Sequence, residues 1–289
     1  VVARVAGKVA FITGAARGQG RSHAVGLAEE GADIIAVDNC CDVETAPYRG
    51  ATQDDLGHTV ELVEATGRRI LPVVADVRDL SALQAAVRQG VGTFGGIDIA
   101  IANAGIVSFG STLELDEDAW QTMLDVNLTG TWKTVKAVAP AMIERGRGGS
   151  IILISSIAGL VAFVNLAHYV AAKHGVTGLM RALAAELAPH GIRVNSVHPG
   201  TVNSPMFGNP ESLEAFTGVV GATSEQAAKM TMGMNALAVP WLEEADVTPA
   251  IVYLSAEESR YVTGTTAVID AGAVLPFKIP HADDHRAEH

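Results

Sequence analysis

The sequence predicts a single α/β domain in which a seven-stranded parallel sheet carries helices on both faces. Three observations support this: seven short, apolar, β-rich runs, a helical stretch between successive runs, and no break in composition that would mark a second domain. Parallel strands need long crossovers, and helices supply them on both faces. With 289 residues and 48% hydrophobic content, the chain can bury one full core. Residues 1–6 read as a lead, 7–276 as the domain, and 277–289 as a polar tail expected to be disordered.

The first run, 8–13, flows into Gly14-Ala-Ala-Arg17-Gly18-Gln-Gly20 and then a helical pattern over 21–30. Strand, glycine loop and helix in that order suit a dinucleotide. The glycines allow a tight turn and close approach of backbone to pyrophosphate, and the free N–H groups at the helix start favour an anion. The second run, 32–37, ends in Asp38. This lies near the roughly 20-residue offset at which a carboxylate meets the adenosine ribose hydroxyls, and it selects NAD over NADP. Arg17 is the residue that could favour a 2'-phosphate instead. Residues 39–54 then form a connection far longer than the usual 2–6 residues of an α/β unit, with Pro47, Tyr48 and Gly50 inside it. Its place beside Asp38 suggests an insertion that folds over the nucleotide and slows its release; a solvated surface loop is the alternative.

Further runs at 70–75, 97–102, 150–156, 193–197 and 266–270 complete the expected Rossmann-type, doubly wound sheet. The run 150–156 ends in hydroxyls, placing Ser156 at a strand mouth. Tyr169 opens an alanine-rich helical stretch with Lys173 four residues on, one turn away on the same face. A tyrosine with a pKa near 10 is a poor base at neutral pH, and lowering it by about 3 units takes roughly 4 kcal/mol of preferential stabilisation of the phenolate. A nearby ammonium contributes to that. Taken alone, the pair reads more readily as an ordinary amphipathic pair on a helix surface.

Together these motifs carry a family resemblance. Gly-x-x-x-Gly-x-Gly, Asn103-Ala104-Gly105 after a strand, Asn127 in Asp-Val-Asn-Leu-Thr, Ser156, Tyr169, Lys173 and Pro199-Gly200 resemble the classical short-chain dehydrogenase/reductases over residues 7–275. The resemblance implies an oxidoreductase in which Tyr169 is the general acid/base, Lys173 lowers its pKa and holds the nicotinamide ribose, Ser156 orients the substrate oxygen, and Asn127 positions a relay water. It implies NAD contacts from Gly14, Gly18 and Gly20 at the pyrophosphate, Asp76 and Val77 at the adenine, and Asn103 at the ribose. Pro199, Gly200, Val202 and Ser204 would close over the nicotinamide amide, Ser204 standing where threonine is frequent. Within the family, Gly-Gln-Gly-Arg-Ser-His, the insertion after Asp38, and 235–241 (Asn-Ala-Leu-Ala-Val-Pro-Trp) are most similar to the carveol dehydrogenases and the mycofactocin-coupled subgroup. That subgroup implies a slowly exchanging cofactor and an external redox carrier. The family also implies a homotetramer, with 116–145 and 168–189 at the main dimer interface.

Composition bounds the rest. A formal charge of −12 without a basic stripe argues against nucleic-acid binding. No apolar run of about 18 residues and no export signal is present, so a soluble, cytoplasmic protein without a membrane partner is expected. Adjacent Cys40 and Cys41 suit reduced thiols, and no metal-ligand spacing occurs outside the tail, where His281, His285 and His289 lie. Between Pro199 and Trp241, Met206, Phe207, Leu213, Phe216, Met230, Met232 and Met234 suggest an adaptable apolar pocket, as do Val161, Phe163 and Val164. A hydrophobic secondary alcohol or ketone, possibly of terpenoid size, is the expected substrate. Two other readings stay open: an NADPH-dependent ketoreductase of the acyl-carrier type, and a non-catalytic nucleotide sensor. His168 and His198 read as structural.

Overall fold

The computed structural model describes residues 3–278. The strands β1 (Val9–Thr13), β2 (Asp33–Asp38), β3 (Ile70–Val74), β4 (Ile99–Ala102), β5 (Gly149–Ile154) and β6 (Ile192–Pro199) join a late strand, Thr266–Ile269, in one sheet. All pairings are parallel, and the order is β3-β2-β1-β4-β5-β6 followed by that last strand. The seven-stranded, doubly wound expectation is met, with strand ends within about two residues of the predicted runs, as end fraying dictates.

The apolar runs are continuous because both faces of the sheet are covered, and alternation still sorts them. Phe11, Ala100, Ala102, Ile151 and Leu153 face one core with α3 (Leu80–Phe94), α5 (Gly130–Arg145) and α6 (Ala167–Leu187). Ala10, Ile12, Ile99, Ile101, Ile152 and Ile154 face the other, with α1 (Gly18–Glu29), α2 (Gln53–Ala65) and α9 (Glu244–Ser255). Because β1 lies beside β4, the winding reverses between them, and a crevice opens at their C-terminal ends.

Two features differ from expectation. The stretch 116–145 is not one regular helix: α4 (Glu117–Leu124) runs through a π-helical turn, Asp125–Thr129, before α5. Such turns shift the register of the following helix and concentrate at functional sites. The irregular-looking stretch 200–241 holds β7 (Val202–Asn203), α7 (Pro210–Thr217) and α8 (Ser224–Met234). Strand β7 pairs with β8 (Leu242–Glu243), leaving the last sheet strand as β9. The two short helices are held by their starts: the Asn209 side chain accepts from Ser212 N ahead of Pro210, and Thr223 and Gln226 form a capping box.

At the ends, Val5 is buried, and Arg4 reaches the Glu258 carboxylate and, through its backbone, Glu30. Lys278 donates to the carbonyls of Ala273, at 2.7 Å, and Met234. The remainder of the predicted tail, with its three histidines, lies outside the described residues. Among the described residues no helix is long and apolar enough to cross a membrane.

Ile101, fully buried in β4 at the crevice, is expected to lose about 2–5 kcal/mol of stability on substitution by alanine, the removed side chain leaving a cavity. Urea unfolding checks this, and a loss below about 0.5 kcal/mol would contradict the packing described.

Candidate active site

Helix α1 is left open for a ligand at its start. Its N-cap, Arg17, makes no side-chain cap, and its first turn carries no acidic residue. By contrast, Thr52, Asp79 and Asp116 cap α2, α3 and α4. Free N–H groups and the helix dipole therefore face the crevice. The loop before them is packed backbone to backbone: a Cβ on Gly20 would lie 1.9 Å from the Gly14 carbonyl oxygen, and one on Gly14, at φ +68°, would lie 2.8 Å from Ala104 Cα. Thr13 Oγ1 accepts from the N–H groups of Asn103 and Ala104 at 3.1 and 3.2 Å, and Asn103 Nδ2 donates to the carbonyls of Thr13 and Gly14. The Asn103 amide nitrogen is thus spent on the loop, while the residue still lines the cleft.

Asp38 is buried at the end of β2, its two oxygens accepting from Ala16 N at 3.0 Å and Cys40 N at 3.1 Å. Gly14, Arg17, Gly18, Gly20, Asp38, Asp76, Val77, Asn103, Ala104, Gly105, Tyr169, Lys173 and Ser204 all line one cleft. Against desolvation, the hydrogen bonds from Arg78 hold the Asp76 carboxyl below its usual range. An uncapped helix start, a cradle that side chains would fill and a buried carboxylate at the ribose distance together fit a dinucleotide.

Residues of the insertion, among them Val43, Ala46 and Tyr48, form a wall of that cleft. The loop closes on itself through Gly50 N donating to Asp42 Oδ1 at 2.6 Å, and only glycine fits there, since a Cβ would lie 2.0 Å from the Cys41 carbonyl oxygen. Arg17 donates to the Arg49 carbonyl, so its guanidinium is tied to the insertion.

A second, apolar pocket adjoins the cleft, and the two share Gln19, Ser155, Tyr169, Ser204 and Met206. Pro199, Gly200 and Val202, expected at the cofactor, line this second pocket. Ser156 lines the apolar side, Lys173 the cleft side, and Tyr169 both. Phe163, Met206, Phe207 and Phe216 form its apolar wall, Phe207 meeting Phe216 edge-on at 5.4 Å and Trp241 at 6.1 Å. Other expected pocket residues are elsewhere: Val164 and Met230 are exposed, Leu213 belongs to a small core with Ala222 and Ala227, and Val161, Met232 and Met234 do not line the pocket.

The trio is fixed by its neighbours. Ser155 Oγ donates to the Lys173 carbonyl at 3.0 Å and docks α6 on β5. Lys173 Nζ donates to the Ile154 carbonyl at 3.0 Å and lies 5.5 Å from the Tyr169 ring centre. His198 Nδ1 lies 2.8 Å from the Ser156 carbonyl oxygen, so it donates there, and its Nε2 accepts from Ser196. Asn127, fully buried in the π turn, accepts from Ile106 N and donates to the Ile106 carbonyl. Its Nδ2 also reaches Met123, through the carbonyl at 3.2 Å and the sulfur at 2.9 Å. Burial pushes the Tyr169 phenol up to about 12, against a hydrogen bond with Ser156, and pushes the Lys173 ammonium down to about 8. At Tyr169, desolvation thus outweighs the hydrogen bond with Ser156. Gln19, Tyr48 and Ser155 were not identified from the sequence as site residues; only the length of the insertion pointed towards Tyr48. Among the described residues, no cluster of His, Cys, Asp and Glu is placed to hold a metal ion.

The family model described as short chain dehydrogenase matches residues 8–214. The chain belongs to the short-chain dehydrogenase family. It is 49% identical over 276 residues to (-)-trans-carveol dehydrogenase of Rhodococcus erythropolis, covering 95% of this chain and all of that one. Among solved structures of short-chain dehydrogenases, it is similar to carveol dehydrogenase from Mycobacterium avium in complex with NAD, at 49% identity and a TM-score of 0.92, covering 94% and 99% of the two chains. A short chain dehydrogenase from Mycobacterium paratuberculosis bound to NAD follows at 47% and 0.86, covering 93% and 98%.

With a folded pKa near 8 against an ordinary 10.5, Lys173 holds fewer protons folded than unfolded between those values. Stability therefore rises from pH 8 towards pH 10 through this group, by up to about 3 kcal/mol, and the contribution is lost as pH falls through 8. From about 9 Cys40 opposes this rise, and above about 10 Tyr48 and Tyr169 add to the opposition, because each keeps its proton longer folded than unfolded. Urea unfolding at pH 8 and 10 is expected to show this rise in the parent and its absence in Lys173→Met; equal slopes would contradict the assignment.

Proposed function

We propose that this short-chain dehydrogenase is an NAD-dependent enzyme that interconverts a hydrophobic secondary alcohol and its ketone. The observation that carries the reading is the junction at Tyr169, where a cleft suited to a dinucleotide meets an apolar pocket. The glycine loop and the start of α1 would hold the pyrophosphate, Asp38 the adenosine ribose, and Lys173 the second ribose. NAD, when bound, supplies the hydride acceptor. Ser156, on the pocket side, orients the alcohol oxygen, and Tyr169 takes its proton. The Lys173 ammonium favours the phenolate form, while Asn127 holds the backbone beside it: a Cβ on Gly105 would lie 2.7 Å from Asn127 Oδ1 and 3.6 Å from Lys173 Nζ.

The named activity of the relatives and the phenylalanine-lined pocket support a terpenoid-sized substrate such as carveol. The insertion wall supports slow cofactor exchange, and with it reoxidation by an external carrier. Exposed Trp120 and Trp132, on α4 and α5, suit burial in a homotetramer. The NADPH reading has less support, since Asp38 would repel a 2'-phosphate and Arg17 is engaged by Arg49.

Tyr169→Phe keeps the ring and removes the proton carrier. Oxidation of carveol is expected to fall by at least about 100-fold while NADH binding, followed by fluorescence, stays within about twofold. Retained turnover would remove Tyr169 from the role given to it.

A further inference from the structure

Three consecutive residues after β4 are each held by a different part of the molecule. Ile106 is pinned in both directions by Asn127 of the π turn. Val107 N donates at 3.1 Å to the Tyr48 hydroxyl, which belongs to the insertion 59 residues earlier. Ser108 Oγ is bonded at 2.8 Å to Nε2 of His168, a buried residue in the first turn of α6 and the immediate neighbour of Tyr169. The segment also divides the two cavities: Ile106 lines the nucleotide cleft and Val107 the apolar pocket.

Tyr48 itself lines the cleft, and its phenol is shielded enough that burial pushes it up to about 12, with Tyr169 close enough to add to the shift. It is therefore a neutral hydroxyl at any physiological pH. Its oxygen accepts the Val107 proton, and no other side-chain acceptor for that N–H is present among the described residues. A buried N–H without a partner is costly, so the insertion and the 106–108 segment hold each other in place.

We propose that Tyr48 is a positioning residue for the reaction: through Val107 it ties the insertion to the wall that aligns Tyr169 and shapes the alcohol pocket. The insertion then does more than cover the nucleotide. It sets the geometry in which the alcohol meets the phenol. This builds on the dehydrogenase reading above, and the test separates the two.

The test compares full-length parent, Tyr48→Phe and Tyr48→Ala. Phe retains the ring as a wall and removes only the acceptor oxygen. Amide hydrogen exchange followed by mass spectrometry needs no substrate. Exchange of the peptide containing Val107 is expected to rise about tenfold in Tyr48→Phe, with the thermal midpoint lowered by no more than about 4 °C. With carveol and NAD, Tyr48→Phe is expected to lower kcat about tenfold while the KM for NAD and the NADH dissociation rate stay within about twofold. Tyr48→Ala is expected to raise the dissociation rate as well. Unchanged exchange at Val107 overturns the proposal whether or not the alcohol is oxidised. So does a parental kcat in Tyr48→Phe, or a fall in kcat matched by faster NADH loss. A parent that protects Val107 through Tyr48 but oxidises no alcohol would count against the dehydrogenase reading alone.

Discussion

Thr13, Gly14 and Asn103 form a small knot on which the rest of the site depends. One hydroxyl accepts two backbone N–H groups from the loop after β4, and one amide returns two hydrogen bonds to the end of β1. Four bonds across the reversal of the sheet keep these two loops in contact, close enough that Gly14 and Gly20 tolerate no side chain. The free start of α1 is thereby aimed into the crevice, and the segment after Asn103 leaves at a fixed angle towards Asn127 and the Tyr169 junction. Loss of the knot would loosen both cavities together.

Desolvation governs the chemistry within that frame. Tyr169 and Lys173 are both driven towards neutrality, the phenol upward and the ammonium downward. A phenol at about 12 is a poor base, so in the proposed reaction positive charge would have to be brought to it, by a protonated Lys173 and by the oxidised nicotinamide when bound. The histidines nearby are engaged by other groups. His198 donates to the Ser156 carbonyl and His168 holds Ser108, so each secures a backbone or a neighbour.

Much of this was legible in the chain. The seven strands read as apolar runs because the sheet is buried on both faces, and the glycine loop, Asp38, Ser156, Tyr169 and Lys173 are legible because their chemistry demands those types at those spacings. What escaped depends on direction or distance. The π turn at Asp125–Thr129 leaves the apolar pattern of its helix almost unaltered. Met230 and Met232 have the composition of a pocket but lie on a helix that turns them away from it, and hydrophobicity alone carries no direction. The caps of α7 and α8 were present as Asn209-Pro210 and Thr223 with Gln226, yet short helices between loops give too few turns for a period. The Tyr48 contact with Val107 joins two loops, where no periodicity exists to align them.

NAD in a cleft walled by the insertion is the state on which the proposed chemistry rests. Its most direct test is to denature protein purified without added nucleotide and to identify and count the released nucleotide by mass spectrometry. NAD or NADH approaching one per chain is the expected result. NADP or NADPH in its place would contradict Asp38 as the selector, and protein that releases no nucleotide would contradict the insertion as a clamp.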